Sequence, residues 1–220
     1  MISFTSELEN GKKEMLEIDN KSIGDLKKYL NRDYILEHIS IMLKKASDQP
    51  MAKRYYKEFP GLEGCLYLKE EREDGSTVSL SFDKVMLPAA GILEKEAWKR
   101  AEQNVRRDLV IDDLGSIVSQ AFGIDVSEDE DEYIKLYVVT NRCCYKGASG
   151  VLDREIMEKF ARGHNCRQVM VIPSSVHEML LLPHAERFDE DDISRIIKQV
   201  NAESVDPKDQ LGDRPFILEF

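Results

Sequence analysis

Four polar side chains of the types used in catalysis lie between two apolar runs in the last third of the chain. They are Ser174, Ser175, His177 and Glu178. One apolar run precedes them at residues 169–172 and the other follows at residues 179–182. Polar groups at a sharp break between buried segments mark the place where a site is expected. A serine, a histidine and a carboxylate are also the nucleophile, base and orienting group of many hydrolases.

The same four residues admit a structural interpretation. In a regular strand Ser175 and His177 share a face, whereas Glu178 points to the opposite face and cannot orient His177. The chain also has no Gly-x-Ser-x-Gly elbow. On this second interpretation the serines bond the backbone of a turn and His177 bonds locally. Whether the chain is an enzyme therefore stays open at this point.

Metal and cofactor motifs give no support for a bound group. His177-Glu178 is not followed by the second histidine of a zinc-protease helix. The cysteines have no Cys-x-x-Cys spacing; they are Cys65, Cys143, Cys144 and Cys166. Residues 146–150 contain two glycines but match neither the Walker nor the Rossmann pattern. We predict no metal and no cofactor.

Three asparagines are candidate ligand-binding residues. Asn104, Asn141 and Asn201 each lie in or beside a predicted helix or strand with apolar neighbours. A buried amide needs hydrogen-bond partners. The structural interpretation is that these amides fix loops and strand ends to the helices. The functional alternative is a polar ligand cleft that Asn141 shares with Ser174 or Ser175.

Composition limits the class of partner. The 220-residue chain is 42% hydrophobic and 33% charged, with a net charge of −11, which is typical of an acidic globular protein. Nucleic-acid binding relies on clustered lysine and arginine, so we predict no nucleic-acid partner and expect a protein partner with a basic face. Without a membrane-length apolar run, a signal-peptide start or a disulfide framework, we expect a cytoplasmic protein with reduced cysteines. The oligomeric state is left open.

The first part of the chain is predicted to be helical. We expect residues 1–60 to form a helical N-terminal region and residues 61–220 an α+β domain, with one continuous domain as the alternative. Asp33 is expected to cap a helix with one apolar face. The residues of that face are Ile35, Leu36, Ile39, Met42 and Leu43.

The clearest local signal is a β-hairpin. Residues 65–68 and 78–82 alternate apolar and polar positions on either side of Asp74-Gly75. Asp-Gly supplies the positive φ angles that a tight hairpin turn requires. A hairpin is therefore predicted here.

Helices and strands alternate in the rest of the chain. Helices are predicted at 94–108, from Asp112 or Asp113 through Phe122, at 153–163 and from 189 through 200. Strands are predicted at 134–140, 168–172, 179–182 and 215–218, and the acidic run 125–132 is predicted to be a loop. Short turns between neighbouring strands favour antiparallel pairing. The fold class is therefore α+β, a mainly antiparallel sheet covered by helices on one face, with a helical N-terminal region and a β-hairpin.

Several segments together resemble one family. They are residues 101–104, 137–141, 147–148, 172–178, 200–201 and 211–213. In this order they are similar to an uncharacterised domain-of-unknown-function family of anaerobic gut bacteria, and the Pro-Ser-Ser-x-His-Glu segment is the most specific part. The likeness covers residues 93–220 and gives no support before about Phe82. Gly212 stands where family members usually have a serine.

The resemblance implies no activity, but it implies an association with mobile genetic elements. Together with the incomplete catalytic set and the acidic charge, it leads us to expect a non-enzymatic protein-interaction or regulatory factor. The alternative is a hydrolase or small-ligand-binding enzyme that uses Ser174 or Ser175 with His177. A toxin–antitoxin or anti-defence component is a third, weaker possibility.

Overall fold

The computed structural model describes residues 5–7, 13–15, 28–49, 51–71, 77–82, 85–122 and 135–220. The chain forms two compact units. The first comprises residues 1–42, 47–54 and 64–107, and the second comprises residues 43–46, 55–63 and 108–220. Among the described residues, no helix is both long and apolar enough to cross a membrane.

The second unit is built on a five-stranded antiparallel sheet. Its strands are β7 (Leu109–Asp113), β8 (Tyr137–Asn141), β9 (Gln168–Pro173), β10 (Met179–Pro183) and β11 (Phe216–Glu219). Their spatial order is β11-β9-β10-β8-β7. Strands β9 and β10 form a hairpin in which Pro173 lies opposite Met179, as the two apolar runs predict. The edge strand predicted at 215–218 is β11, which pairs only with β9 among the described strands.

Both faces of this sheet are apolar. Successive strand residues point to opposite sides, and successive residues of β9 are apolar. Val169 and Val171 belong to the larger core on one face, whereas Met170 packs in a smaller cluster on the other. Helix α5 (Arg154–Gly163) contributes Met157, Phe160 and Ala161 to the larger core. Helix α6 (Glu190–Ser204) packs Ile193 against the smaller cluster. Helices therefore cover both faces. The predicted α+β class with a mainly antiparallel sheet is confirmed, and only the expectation that helices cover one face is wrong.

Local sequence signals account for the helix starts in this unit. Asp153 accepts the Ile156 amide and begins α5, and Asp189 accepts the Asp191 and Asp192 amides and begins α6. In helix α4 (Leu114–Phe122) the Asp113 carboxylate accepts the Ser116 amide at 2.8 Å. The residues predicted to begin these helices are confirmed.

The first unit is built on a four-stranded sheet. Strands β3 (Ile39–Lys45), β5 (Leu62–Glu71) and β4 (Lys53–Tyr55) lie in that order, and β6 (Thr77–Ser81) pairs antiparallel with β5. The hairpin of β5 and β6 is confirmed, while its predicted Asp74-Gly75 turn lies outside the described residues. Strands β1 (Thr5–Glu7) and β2 (Lys13–Met15) form a separate antiparallel pair.

Among the described residues, three further helices are α1 (Arg32–His38), α2 (Met86–Ala89) and α3 (Glu94–Asp108). Helix α3 has the predicted bounds. It buries Ala97, Trp98 and Ala101, while Leu93, just before it, is 75% exposed.

The helix predicted through Leu43 is wrong. Helix α1 is capped by Asn31 instead of Asp33 and ends at His38, where strand β3 begins. Burial along β3 alternates, with Ile39, Ile41 and Leu43 inside. Residues four apart share a face in a strand as well as in a helix, so the spacing of Ile39 and Leu43 fits both structures. Met42, which was predicted on the same face, takes the alternate position in the strand and is only half-buried. The predicted acidic loop at 125–132 lies outside the described residues.

Candidate functional site

The predicted site residues form the five-residue loop, residues 174–178, that joins β9 to β10. The Ser175 amide donates to the Glu178 carbonyl at 3.1 Å and closes the loop. None of these residues belongs to a strand. The prediction that Ser175 and His177 share a strand face therefore does not apply, because the strand ends at Pro173.

Both serine hydroxyls bind one carboxylate oxygen. The Oγ atoms of Ser174 and Ser175 each donate to Oε1 of Glu178 at 2.9 Å. The Ser175 hydroxyl also accepts the His177 amide at 3.1 Å, and Ser175 is 8% exposed. Among the described residues, no hydrogen bond joins either hydroxyl to the His177 ring. The loop thus pairs serine with glutamate and leaves histidine to other partners.

The His177 ring accepts a backbone hydrogen bond on one side and faces a carboxylate on the other. Its Nδ1 accepts the backbone N–H of Lys146 at 3.2 Å, so a neutral ring has its proton on Nε2. Nε2 lies 3.8 Å from Oδ2 of Asp209, beyond hydrogen-bond distance. The Tyr145 ring lies beside the imidazole, with centroids 5.4 Å apart. About 29% of the His177 side chain remains exposed.

A turn after β8 presents the Lys146 amide to His177. Asn141 fixes this turn, because its Nδ2 donates to the Tyr145 carbonyl at 2.8 Å and its Oδ1 accepts the Tyr145 amide at 3.1 Å. Lys146 has a left-handed φ of 53°, a conformation that costs a non-glycine residue roughly 1 kcal/mol. Asn141 therefore positions the backbone donor that holds the His177 ring.

Gly147 allows the close approach between this turn and the loop. Its amide donates to the His177 carbonyl at 2.9 Å, and the Thr140 hydroxyl donates to the same carbonyl at 2.9 Å. A Cβ atom at Gly147 would lie 2.5 Å from the Asn141 nitrogen and 2.6 Å from Thr140 Oγ1. Gly147 begins a 3-10 helix, Gly147–Leu152.

Asn201 anchors the segment that contains Asp209. Its Nδ2 donates to the Gly212 carbonyl at 2.9 Å and to Asp213 Oδ1 at 2.8 Å. The carbonyl of Asp209 accepts the Val176 amide at 2.8 Å, so this segment and the loop are joined. The predicted structural role of Asn201, in which its amide fixes a loop to a helix, matches these bonds.

Asn104 lies on α3 in the first unit. Its Nδ2 donates to the carbonyls of Leu36, Glu37 and Ile39, at 3.1, 3.2 and 2.8 Å. These carbonyls lie where α1 ends and β3 begins, so the Asn104 amide, together with Arg100 at the Leu36 carbonyl, supplies donors to the end of the helix. The Asn141 amide bonds its own turn. The ligand cleft that Asn141 would share with the serines stays a prediction.

Sequence reasoning missed Asp209. It lies in a polar segment after α6 without a motif, and only folding brings it to His177. Within the described residues, no group of three or more His, Cys, Asp or Glu side chains is placed to hold a metal ion. The Asp209 carboxylate lies 3.8 Å from the partly exposed His177 imidazole, and the Glu178 carboxylate binds the two serine hydroxyls.

Comparison with known proteins gives a family and no activity. Neither the curated proteins nor the solved structures include a significant match. The model of a family of unknown function, DUF5688, matches residues 11–218. We expected the family likeness to give no support before about Phe82. That expectation is wrong, because the match begins at residue 11. The chain therefore belongs to the family of unknown function DUF5688.

Proposed function

We propose that this protein is a non-enzymatic interaction or regulatory factor and that the loop at residues 174–178 is part of its recognition surface. One observation supports this most directly. Both serine hydroxyls donate to Glu178 Oε1 at 2.9 Å, so the loop is built as a fixed shape with its reactive groups already bonded.

A serine hydrolase needs a different arrangement. The nucleophilic hydroxyl donates to an imidazole nitrogen, which takes its proton during attack. Here the His177 nitrogen on one side accepts the Lys146 amide, and the other faces Asp209. A carboxylate, the group that both serines bind here, is a weak base toward a hydroxyl at neutral pH. The bonding therefore favours recognition over nucleophilic catalysis.

The charge indicates the class of partner. The net charge is −11. Three of the acids are exposed together in the first turn of α6: Glu190, Asp191 and Asp192. A protein with a basic face is the complementary partner, and association would weaken with salt. We include in the proposal a cytoplasmic location, which rests on the absence of a signal-peptide start in the sequence, and a link to mobile elements, which rests only on the resemblance described in the sequence analysis.

The test is an affinity capture from lysate of the native host. The bait proteins are the wild type, a Ser174→Ala/Ser175→Ala/His177→Ala variant, and Lys159→Ala as a matched control, since Lys159 is exposed on α5. The thermal unfolding midpoint of each bait is measured first, and the capture is run at a temperature at which all three are fully folded. We expect a basic protein to be retained by the wild type and the control, and lost from the triple variant. Retention of the same partners by all three, or of none, contradicts the proposal.

A hydrolase is the second candidate, favoured by the His177–Asp209 pair at 3.8 Å. A shortening of that distance, together with release of Nδ1 from the Lys146 amide, would give the base and orienting group of a triad. An esterase and phosphodiesterase screen of the wild type beside His177→Ala decides this. Activity that is present in the wild type and absent from the variant would replace our proposal, and equal background rates would exclude the hydrolase.

A further inference from the structure

Two adjacent cysteines lie in the turn that holds His177. Cys144 is exposed and Cys143 is half-buried, whereas Cys65 and Cys166 are buried; none of the four forms a disulfide. Cysteine reactivity requires access to the sulfur. Cys143 and Cys144 are therefore the two thiols of this chain that a reagent in solution can reach.

Backbone requirements do not explain a cysteine at position 144. The Cys144 amide donates to the Asn141 carbonyl at 2.8 Å, and Cys144 has a φ of +51°. Glycine and asparagine adopt this left-handed conformation most readily. The exposed position also offers the thiol little packing. The side chain at this position thus has neither a conformational nor a packing reason to be cysteine.

The other thiol is connected to the candidate site. Cys143 Sγ donates to Asn141 Oδ1 at 3.1 Å, the same oxygen that accepts the Tyr145 amide. The following amide, that of Lys146, donates to Nδ1 of His177. A change at the Cys143 sulfur removes one bond from Asn141, and Asn141 fixes the turn that holds the His177 ring.

We propose that Cys143 and Cys144 form a two-thiolate site for a soft, thiophilic ion or a trivalent arsenical, and that its occupation alters the His177 loop. Thiolates are the ligands that such soft centres select. A direct disulfide fits less well, because adjacent Cα atoms are about 3.8 Å apart and unstrained disulfides need roughly 4.4–6.8 Å. A bridging atom between the two sulfurs lengthens the link. This inference does not depend on the proposed recognition function.

The reaction with phenylarsine oxide, the probe, needs no oxidant. Both sulfur–hydrogen bonds break and both protons go to the oxygen of the reagent. Two sulfur–arsenic bonds form, the oxygen leaves as water, and arsenic stays trivalent.

The experiment titrates reduced full-length chain with phenylarsine oxide and follows the adduct by intact mass spectrometry. We expect one phenylarsenic group per wild-type chain. Cys143→Ser and Cys144→Ser should each bind at least about 100-fold more weakly, because the second bond of a two-point attachment is intramolecular. Cys166→Ser is the matched control and should bind like the wild type. Failure of the wild type to bind, or binding by single variants as tight as that of the wild type, overturns the site.

The coupling has its own readout. The His177 imidazole resonances should shift when the arsenical binds, while those of His164, which directly follows α5, should not. His164 is suitable because its Nδ1 bonds the Phe160 carbonyl at 2.8 Å. Binding that leaves the His177 resonances unchanged overturns the coupling to the loop.

Discussion

The Nε2 atom of His177 lies 3.8 Å from Oδ2 of Asp209, although β10 and the whole of α6 separate the two residues along the chain. On the other side of the ring, Nδ1 accepts the Lys146 amide. The backbone donor therefore determines the tautomer, and the Nε2 proton is directed toward the Asp209 carboxylate.

This arrangement predicts the tautomer of neutral His177. We expect the Nε2–H form, measured by long-range ¹⁵N–¹H correlation spectra of the imidazole at a pH where the ring is neutral. His164 is an internal control with the opposite expectation, because its Nδ1 must donate to the Phe160 carbonyl. Asp209→Ala should leave the His177 tautomer unchanged. An Nδ1–H form of His177 would contradict the bond from Lys146.

Gly147→Ala should be strongly destabilising. The new Cβ atom would lie 2.5 Å from the Asn141 nitrogen and 2.9 Å from the His177 carbonyl oxygen, and neither backbone atom can move cheaply. We expect a loss of about 3 kcal/mol in the free energy of unfolding, measured with urea. Gly163→Ala is the control, because a Cβ atom added there would meet no atom within 4 Å; it should be neutral or raise stability by up to about 1 kcal/mol.

Glu178→Ala should cost more than Glu178→Gln. The alanine variant removes the acceptor of both the Ser174 and Ser175 hydroxyls, and leaving the buried Ser175 hydroxyl without that acceptor costs about 2 kcal/mol. The glutamine variant keeps an acceptor oxygen, so its loss should be about 1 kcal/mol. Thermal and urea unfolding measure both. Glu158→Ala, which breaks only an exposed ion pair with Arg162, should change stability by less than about 0.5 kcal/mol. Equal losses for all three variants would show that the Glu178 bonds add nothing.

Asn201→Ala should loosen the segment that contains Asp209. The change removes the donors to the Gly212 carbonyl and to Asp213, which costs about 2 kcal/mol. Amide hydrogen exchange should rise across residues 206–213 and at the Val176 amide, which bonds Asp209. Gln199→Ala on the same helix is the matched control, since its amide bonds only Glu203. Unchanged protection at Val176 in Asn201→Ala would mean that other contacts hold the segment.

Glu70 in the first unit should make stability depend on pH. Burial acts to raise its pKa, but hydrogen bonds from Lys28 at 2.6 Å and Tyr29 at 2.8 Å outweigh burial and hold the pKa below its ordinary 4.5. A lowered pKa stabilises the folded state above pH 4.5, and this contribution disappears as the pH falls through the folded-state pKa.

Glu70→Gln tests this relation. The wild type should exceed the variant by about 1 kcal/mol in unfolding free energy at pH 7, and the difference should shrink as the pH approaches 3. Glu158→Gln, whose ion pair is exposed, should give a difference near zero at both pH values. A gap for Glu70→Gln that stays constant or grows toward low pH would contradict the lowered pKa.

Much of the secondary structure could be predicted from the sequence because its signals are local. Asp153 caps its helix with its own carboxylate, and the segments predicted to form a hairpin pair as β5 and β6. The prediction failed at Ile39–Leu43, where an apolar spacing of four fits a helix and a strand equally well. Pairing with β5 made that segment a strand, and pairing is a property of the folded chain.

The sequence by itself determined that Ser174, Ser175, His177 and Glu178 would stand together at a break between two buried strands. Only the tertiary structure decided their partners. The serines bond Glu178, which is in the same loop, while the ring of His177 is held by Lys146 and faces Asp209, which come from distant parts of the chain. The physical reason is the distance along the chain over which each interaction acts. Helix caps and apolar–polar alternation involve residues a few positions apart, whereas the packing of sheets and loops decides which distant groups surround an imidazole.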